Sequence, residues 1–72
     1  MQVGDRVRVI TGGAGAGHGL AAGSTAYIVN ADYPPGVKGW IEAQGKPHPD
    51  LFPDIDRPMT QVLVPSDYEV LA

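Results

Sequence analysis

The sequence predicts an all-β protein: a small five-stranded antiparallel barrel with one long proline-rich loop and a single-turn break before the last strand. Three observations predict it. Gly4-Asp5-Arg6-Val7-Arg8-Val9-Ile10 alternates apolar and charged side chains with a period of two, the pattern of a half-buried strand. Ten glycines and seven prolines in 72 residues divide the remainder into short segments. No segment of useful length carries the 3.6-residue periodicity of a helix.

The first strand is the clearest. Val7 and Val9 fall on one face with Val3, and Arg6 and Arg8 fall on the other. Gly4-Asp5 ahead of them is a turn signal. The arginines read as the strand's solvated face, with a contact to phosphate or carboxylate as the functional alternative. Residues 11–19 then hold five glycines in nine positions, which suits a flexible hairpin loop and no regular element. A phosphate cradle would need specific spacings. After Gly13 and Gly15 the third glycine of a dinucleotide fingerprint is replaced by His18. After Gly15 and Gly17 it is replaced by Leu20. A P-loop on Gly12 and Gly17 would need Lys where His18 stands. Neither motif is present, and no helix pattern follows for such a loop to open.

Leu20, the one large apolar residue between the first two strands, is expected to plug an end of the barrel. Thr25–Asn30 is the second strand, with Ala26 and Ile28 on one face and Thr25, Tyr27 and Val29 on the other. Residues 31–36 form a turn, rich in Asp, Pro and Gly. Val37–Ala43 reads as the third strand, its apolar face being Val37, Gly39, Ile41 and Ala43. That parity sends Trp40 outward beside Lys38 and Glu42. The long loop is placed at residues 44–58 and carries four of the seven prolines, a density incompatible with a central strand or a helix interior. Met59–Val64 is the fourth strand, Pro65-Ser66-Asp67 a one-turn break, and Tyr68–Leu71 a short fifth strand. The expected core is Val7, Val9, Ile28, Ile41, Val62 and Val70.

Composition bounds the function. A chain of 72 residues is one domain, and a core of that size is marginal. With no cysteine, disulfides and thiolate metal sites are excluded. No apolar run approaches the roughly 18 residues of a membrane span, and the N-terminus shows no signal-peptide apolar region, so a cytoplasmic protein is expected. The net charge is −3. Residues 1–30 carry +1 (Asp5, Arg6, Arg8). Residues 31–72 carry −4: Lys38, Lys46 and Arg57 against Asp32, Glu42, Asp50, Asp54, Asp56, Asp67 and Glu69. Sequence-independent nucleic-acid binding draws on many phosphate contacts from Lys and Arg, which this balance supplies poorly.

No catalytic constellation stands out. Counted from Asp50, a calcium loop would need acidic or amide residues where Phe52 stands and Gly where Ile55 stands. His18 and His48 match no metal-ligand spacing. Ser24 and Ser66 lack the setting of an activated nucleophile. No metal, no cofactor and no enzymatic activity are expected. The residues left as candidates are contact residues. Trp40 is an aromatic on an outward face, and aromatics are enriched at recognition surfaces; Tyr33, in the turn at residues 31–36, is the second aromatic candidate. Leu51, Phe52 and Ile55 lie in the proline-rich loop among three aspartates. Arg6 and Arg8 supply charge. The loop's apolar side chains are expected either to close over Trp40 as a lid or to form with it one surface for a protein partner or for self-association.

The ordered set "GDRVRVI", a loop, "GLAAGSTAYIV", a strand with Trp and "QVLVPSDYEVL" resembles the small SH3-like barrels. Among these are the ribosome- and transcription-associated KOW modules, the small SH3-like stromal subunit of photosystem I, and short uncharacterised proteins of bacteriophages and actinobacteria. The ending Val64-Pro65-Ser66-Asp67-Tyr68-Glu69-Val70-Leu71 is similar to the close of eukaryotic SH3 domains, where one 3₁₀ turn precedes the last strand. The likeness covers most of the chain outside residues 44–58. It implies a non-enzymatic protein-interaction module, in the phage-like case an accessory protein acting on a host or phage partner. The second implication is a nucleic-acid-associated barrel using Arg6, Arg8 and Trp40. Departures narrow it. Trp40, Tyr33 and Tyr68 are the only counterparts to an aromatic-lined peptide groove, the loop after the first strand is glycine-rich where peptide-binding SH3 domains are acidic, and a KOW module would carry more basic charge.

Overall fold

The computed structural model describes residues 1–10 and 19–71. Five antiparallel strands form one sheet: β1 (Arg6–Val9), β2 (Thr25–Asn30), β3 (Ile41–Gly45), β4 (Met59–Leu63) and β5 (Tyr68–Val70). A 3₁₀ turn, Pro65–Asp67, separates β4 from β5. The order across the sheet is β4-β3-β2-β1-β5. The first four strands therefore meander, and the last returns to the free side of β1. The glycine-rich stretch falls outside the described residues except for Gly19.

Period-two patterning does what it should in β1 and β2. Val7 and Val9 are buried between exposed Arg6 and Arg8, and Ala26 and Ile28 between exposed Thr25 and Tyr27. The core is completed by Leu20, Ile41, Ala43, Leu63 and Tyr68. Burying Leu20, Ile28, Ile41 and Leu63 fully stabilises the fold by about 1.5–3 kcal/mol for each side chain.

The sheet is strongly curled. Between Leu63 and Tyr68 lie only Val64 and the 3₁₀ turn. At about 2 Å per residue in the turn and about 3.3 Å per extended residue, this link spans about 13 Å. Five strands laid flat at about 4.8 Å would hold their outer members about 19 Å apart. The ends of β4 and β5 must therefore bend toward each other. They do not pair with one another. The Tyr68 hydroxyl instead ties β5 to the turn just ahead of β3, donating to the Gly39 carbonyl at 2.7 Å. Fully buried Asp67 holds the turn, its Oδ2 accepting from the Val64 N–H at 3.1 Å.

Three expectations are corrected. The third strand starts at Ile41, four residues later than Val37, and runs on to Gly45. Gly36 and Gly39 have φ of +85° and +83°, so the chain is still turning where alternation indicated a strand. Gly39 must be glycine twice over, because a Cβ there would lie 2.7 Å from Pro65 Cγ. Second, Val62 is replaced in the core by Leu63. The run Val62-Leu63-Val64 has no alternation to read, and pairing of Leu63 with buried Ile41 sets the parity. Third, Val70 is half exposed although it pairs with buried Val7. It points to the inner side, but at the end of an outer strand. Tyr68, paired with Val9, takes the covered inner position.

Leu20 is fully buried, as expected of a plug. It also has a backbone role. Leu20 bridges to Pro47, the Ala21 N–H donates to the Lys46 carbonyl at 2.9 Å, and the His48 N–H donates to the Gly19 carbonyl at 2.9 Å. Residues 19–21 thus pin the first residues of the proline-rich loop.

Candidate functional site

That loop occupies residues 46–58, since Gln44 and Gly45 belong to β3. Prolines deny it ladder hydrogen bonds, and it folds as a series of tight turns. After pinned residues 46–48, the His48 carbonyl accepts from the N–H of Leu51 at 3.2 Å and of Phe52 at 2.9 Å. His48 Nδ1 accepts from the Asp50 N–H at 3.1 Å. The Ile55 N–H then donates to the Phe52 carbonyl at 3.2 Å. These bonds order a segment that its sequence marks only as irregular.

The turns raise a wall beside the outward face of β2 and β3. Between wall and sheet lies a groove of about 570 Å³, within the size range of ligand sites. Its floor is Thr25, Tyr27 and Gln44, of which Tyr27 and Gln44 are a cross-strand pair. Its wall is Phe52 and Ile55 with Pro47, Pro49, Pro53 and Pro58. Tyr27 keeps 52% of its surface exposed, whereas Phe52 and Ile55 are half-buried. The four prolines make the wall stiff, so little backbone entropy remains to be lost when something binds against it.

Charge gathers at the neck of the loop. Gly45 pairs with Met59 where β3 ends and β4 begins, which sets Lys46 and Arg57 on either side of the neck. Both line the groove, together with Asp56. One strand away from the floor, Arg6 lies opposite Tyr27 and Arg8 opposite Thr25. Arg8 pairs with Glu69 at 3.0 Å. Among the described residues Arg6, Lys46 and Arg57 make no ion pair.

The structure gathers some of the expected contact residues and separates others. Phe52 and Ile55 line the groove, and Arg6 and Arg8 flank its floor. Leu51, also in the loop, is 52% exposed and lies outside the lining. Trp40 and Tyr33 belong to the opposite end of the sheet. Trp40 precedes Ile41 at the start of β3, and its carbonyl accepts from the Tyr33 N–H at 3.2 Å. The five residues of β3 put roughly 16 Å between Trp40 and the loop. Trp40 does not line the groove. Tyr27 is the residue that sequence reasoning passed over. Its outward parity was legible, but only the strand register shows that Gln44 and the loop meet beside it. Among the described residues no group of three His, Asp or Glu side chains could hold a metal ion. Among the described residues no helix is long and apolar enough to cross a membrane. Comparisons with protein-family models, curated proteins and solved structures find no match.

Proposed function

We propose that this chain is a non-enzymatic protein-interaction module whose recognition site is the groove between the proline-rich loop and the outward face of β2 and β3. The groove itself carries the reading. It presents Tyr27, Phe52 and Ile55 on a floor and wall already held by backbone hydrogen bonds. Aromatic side chains on a rigid, partly desolvated surface are the usual centres of binding energy. A five-stranded curled sheet with one 3₁₀ turn before its last strand supports the SH3-like reading of the fold. With it comes the reading as a small cytoplasmic accessory protein acting on a host or phage partner. The nucleic-acid alternative has less to draw on, because Arg8 is already paired with Glu69 and Trp40 stands away from the other candidate contacts.

Site-specific photo-crosslinking tests the proposal. A photoreactive aromatic residue at position 27 should capture a discrete protein partner in the cell. The same residue at position 70, exposed on the outer strand β5, should not. Equal capture from both positions, or none from position 27, would refute the groove as the site.

A further inference from the structure

The distribution of charge deepens this reading and rests on it. The chain has five cationic side chains and a net charge of −3, yet two of the five line the groove and two more stand one strand away from its floor. Lys46 and Arg57 line it at the neck, and Arg6 and Arg8 stand beside Tyr27 and Thr25. Lys38 alone lies elsewhere, in the turn before β3. Within the lining itself two cations meet one acid. Asp56 lines the groove, and Glu69 is spent on Arg8. Asp50 and Asp54 share the loop but are not in the lining, and Glu42 stands two residues along β3 from Gln44. Asp5, next to Arg6, receives the Gln2 N–H at 2.9 Å. An apolar groove with unpaired cations at its mouth, on an otherwise acidic protein, is complementary to an apolar ligand that carries negative charge.

We propose that the groove binds an acidic, apolar peptide segment of the partner protein. Its aromatic or aliphatic side chains would seat between Tyr27 and Phe52, and its carboxylates would reach Lys46 and Arg57. The lining favours a peptide over nucleic acid. The exposed rings of Pro49, Pro53 and Pro58, with Ile55, offer apolar contact to aliphatic side chains, whereas a strand of nucleic acid needs a continuous track of cations. It favours a peptide over a free small acid because Lys46 and Arg57 flank the neck while Arg6 lies across the floor, so that several carboxylates spaced along one chain can be met at once.

The test is titration of ¹⁵N-labelled protein with an amide-capped decapeptide holding a central Phe-Leu pair flanked by two Glu. Parallel arms use the same peptide with Gln or with Lys in place of Glu, 3-phenylpropionate, and oligo-dT. The proposal expects shifts of the Thr25, Gln44, Lys46, Phe52 and Ile55 amides. The Glu peptide should bind about tenfold more tightly than the Gln peptide, given two exposed ion pairs, and the difference should shrink at high salt. The double variant Lys46→Glu/Arg57→Glu, which alters two exposed side chains, should reverse the order and prefer the Lys peptide. If Glu and Gln peptides shift the groove equally, the charge inference is overturned while the groove stands as a peptide site. If oligo-dT or 3-phenylpropionate binds there more tightly than the Glu peptide, the peptide assignment is overturned. If no peptide shifts any groove amide at millimolar concentration, both this inference and the groove as a protein-binding site fall.

Discussion

At the scale of single residues, Tyr68 links the outer strand β5 to the turn ahead of β3. It is buried against Val9 in the core, and its hydroxyl donates to the Gly39 carbonyl. Burial disfavours the phenolate and raises its pKa above the ordinary value. The consequence for stability has a definite sign. Below about pH 10 the phenol is neutral in both folded and unfolded chains and contributes its full stabilisation. Above that, the unfolded chain releases the proton while the folded chain still holds it, so stability falls as pH rises through the folded value. We predict that Tyr68→Phe costs about 1 kcal/mol near neutral pH through the lost hydrogen bond. The variant should also lose less stability than wild type between pH 9 and pH 11. Urea denaturation at several pH values measures both, and parallel pH profiles for the two proteins would contradict the account. Leu20 shows how far a single residue could be read from sequence. As the one large apolar side chain between two strands it had to be buried, and it is. Its neighbours' backbone pairing with residues 46–48 was invisible, because hydrogen bonds between distant irregular segments leave no local pattern.

At the scale of elements, legibility followed alternation. β1 alternates strictly in sequence and β2 in burial, and their inward faces are as expected. Alternation misled in the third strand, where Val37 and Gly39 share the parity of Ile41 and Ala43 but lie in a turn. Gly39 is the residue that ends the turn, through its positive φ and its contact with Pro65. It follows that Gly39→Ala should destabilise the protein by more than about 1 kcal/mol, because a strained backbone adds to the steric overlap. Were Gly39 a strand residue, the same change would stabilise slightly or do nothing. Thermal melts of the two proteins separate these outcomes. In β4 the three consecutive apolar residues 62–64 gave no parity, and the partner strand decided it. The loop was recognised from its prolines, but its ordering was not. The turns that set Phe52 and Ile55 beside Tyr27 depend on the His48 carbonyl and ring, which no spacing rule anticipates.

At the scale of the whole molecule, the curled sheet assigns its two ends different surroundings. Along β3, the starting end carries Gly39, Trp40 and Tyr33. The other carries the proline-rich loop, the groove and the cationic neck. Sequence reasoning grouped Trp40 with the loop because parity sends the indole outward and Leu51, Phe52 and Ile55 were the apolar side chains available to cover it. The antiparallel register, with Ile41 opposite Leu63 and Gly45 opposite Met59, sets them at opposite ends of β3. The central claim is that recognition belongs to the groove end. Its most direct measurement is the affinity of the crosslinked partner for three variants, Tyr27→Ala, Phe52→Ala and Trp40→Ala, each held well below its melting temperature. The account predicts at least about a tenfold loss of affinity for Tyr27→Ala and for Phe52→Ala, as for aromatic anchors in other interfaces, and near-wild-type affinity for Trp40→Ala. Loss of binding in Trp40→Ala, with Tyr27→Ala and Phe52→Ala unaffected, would place the site at the other end of the sheet and contradict it.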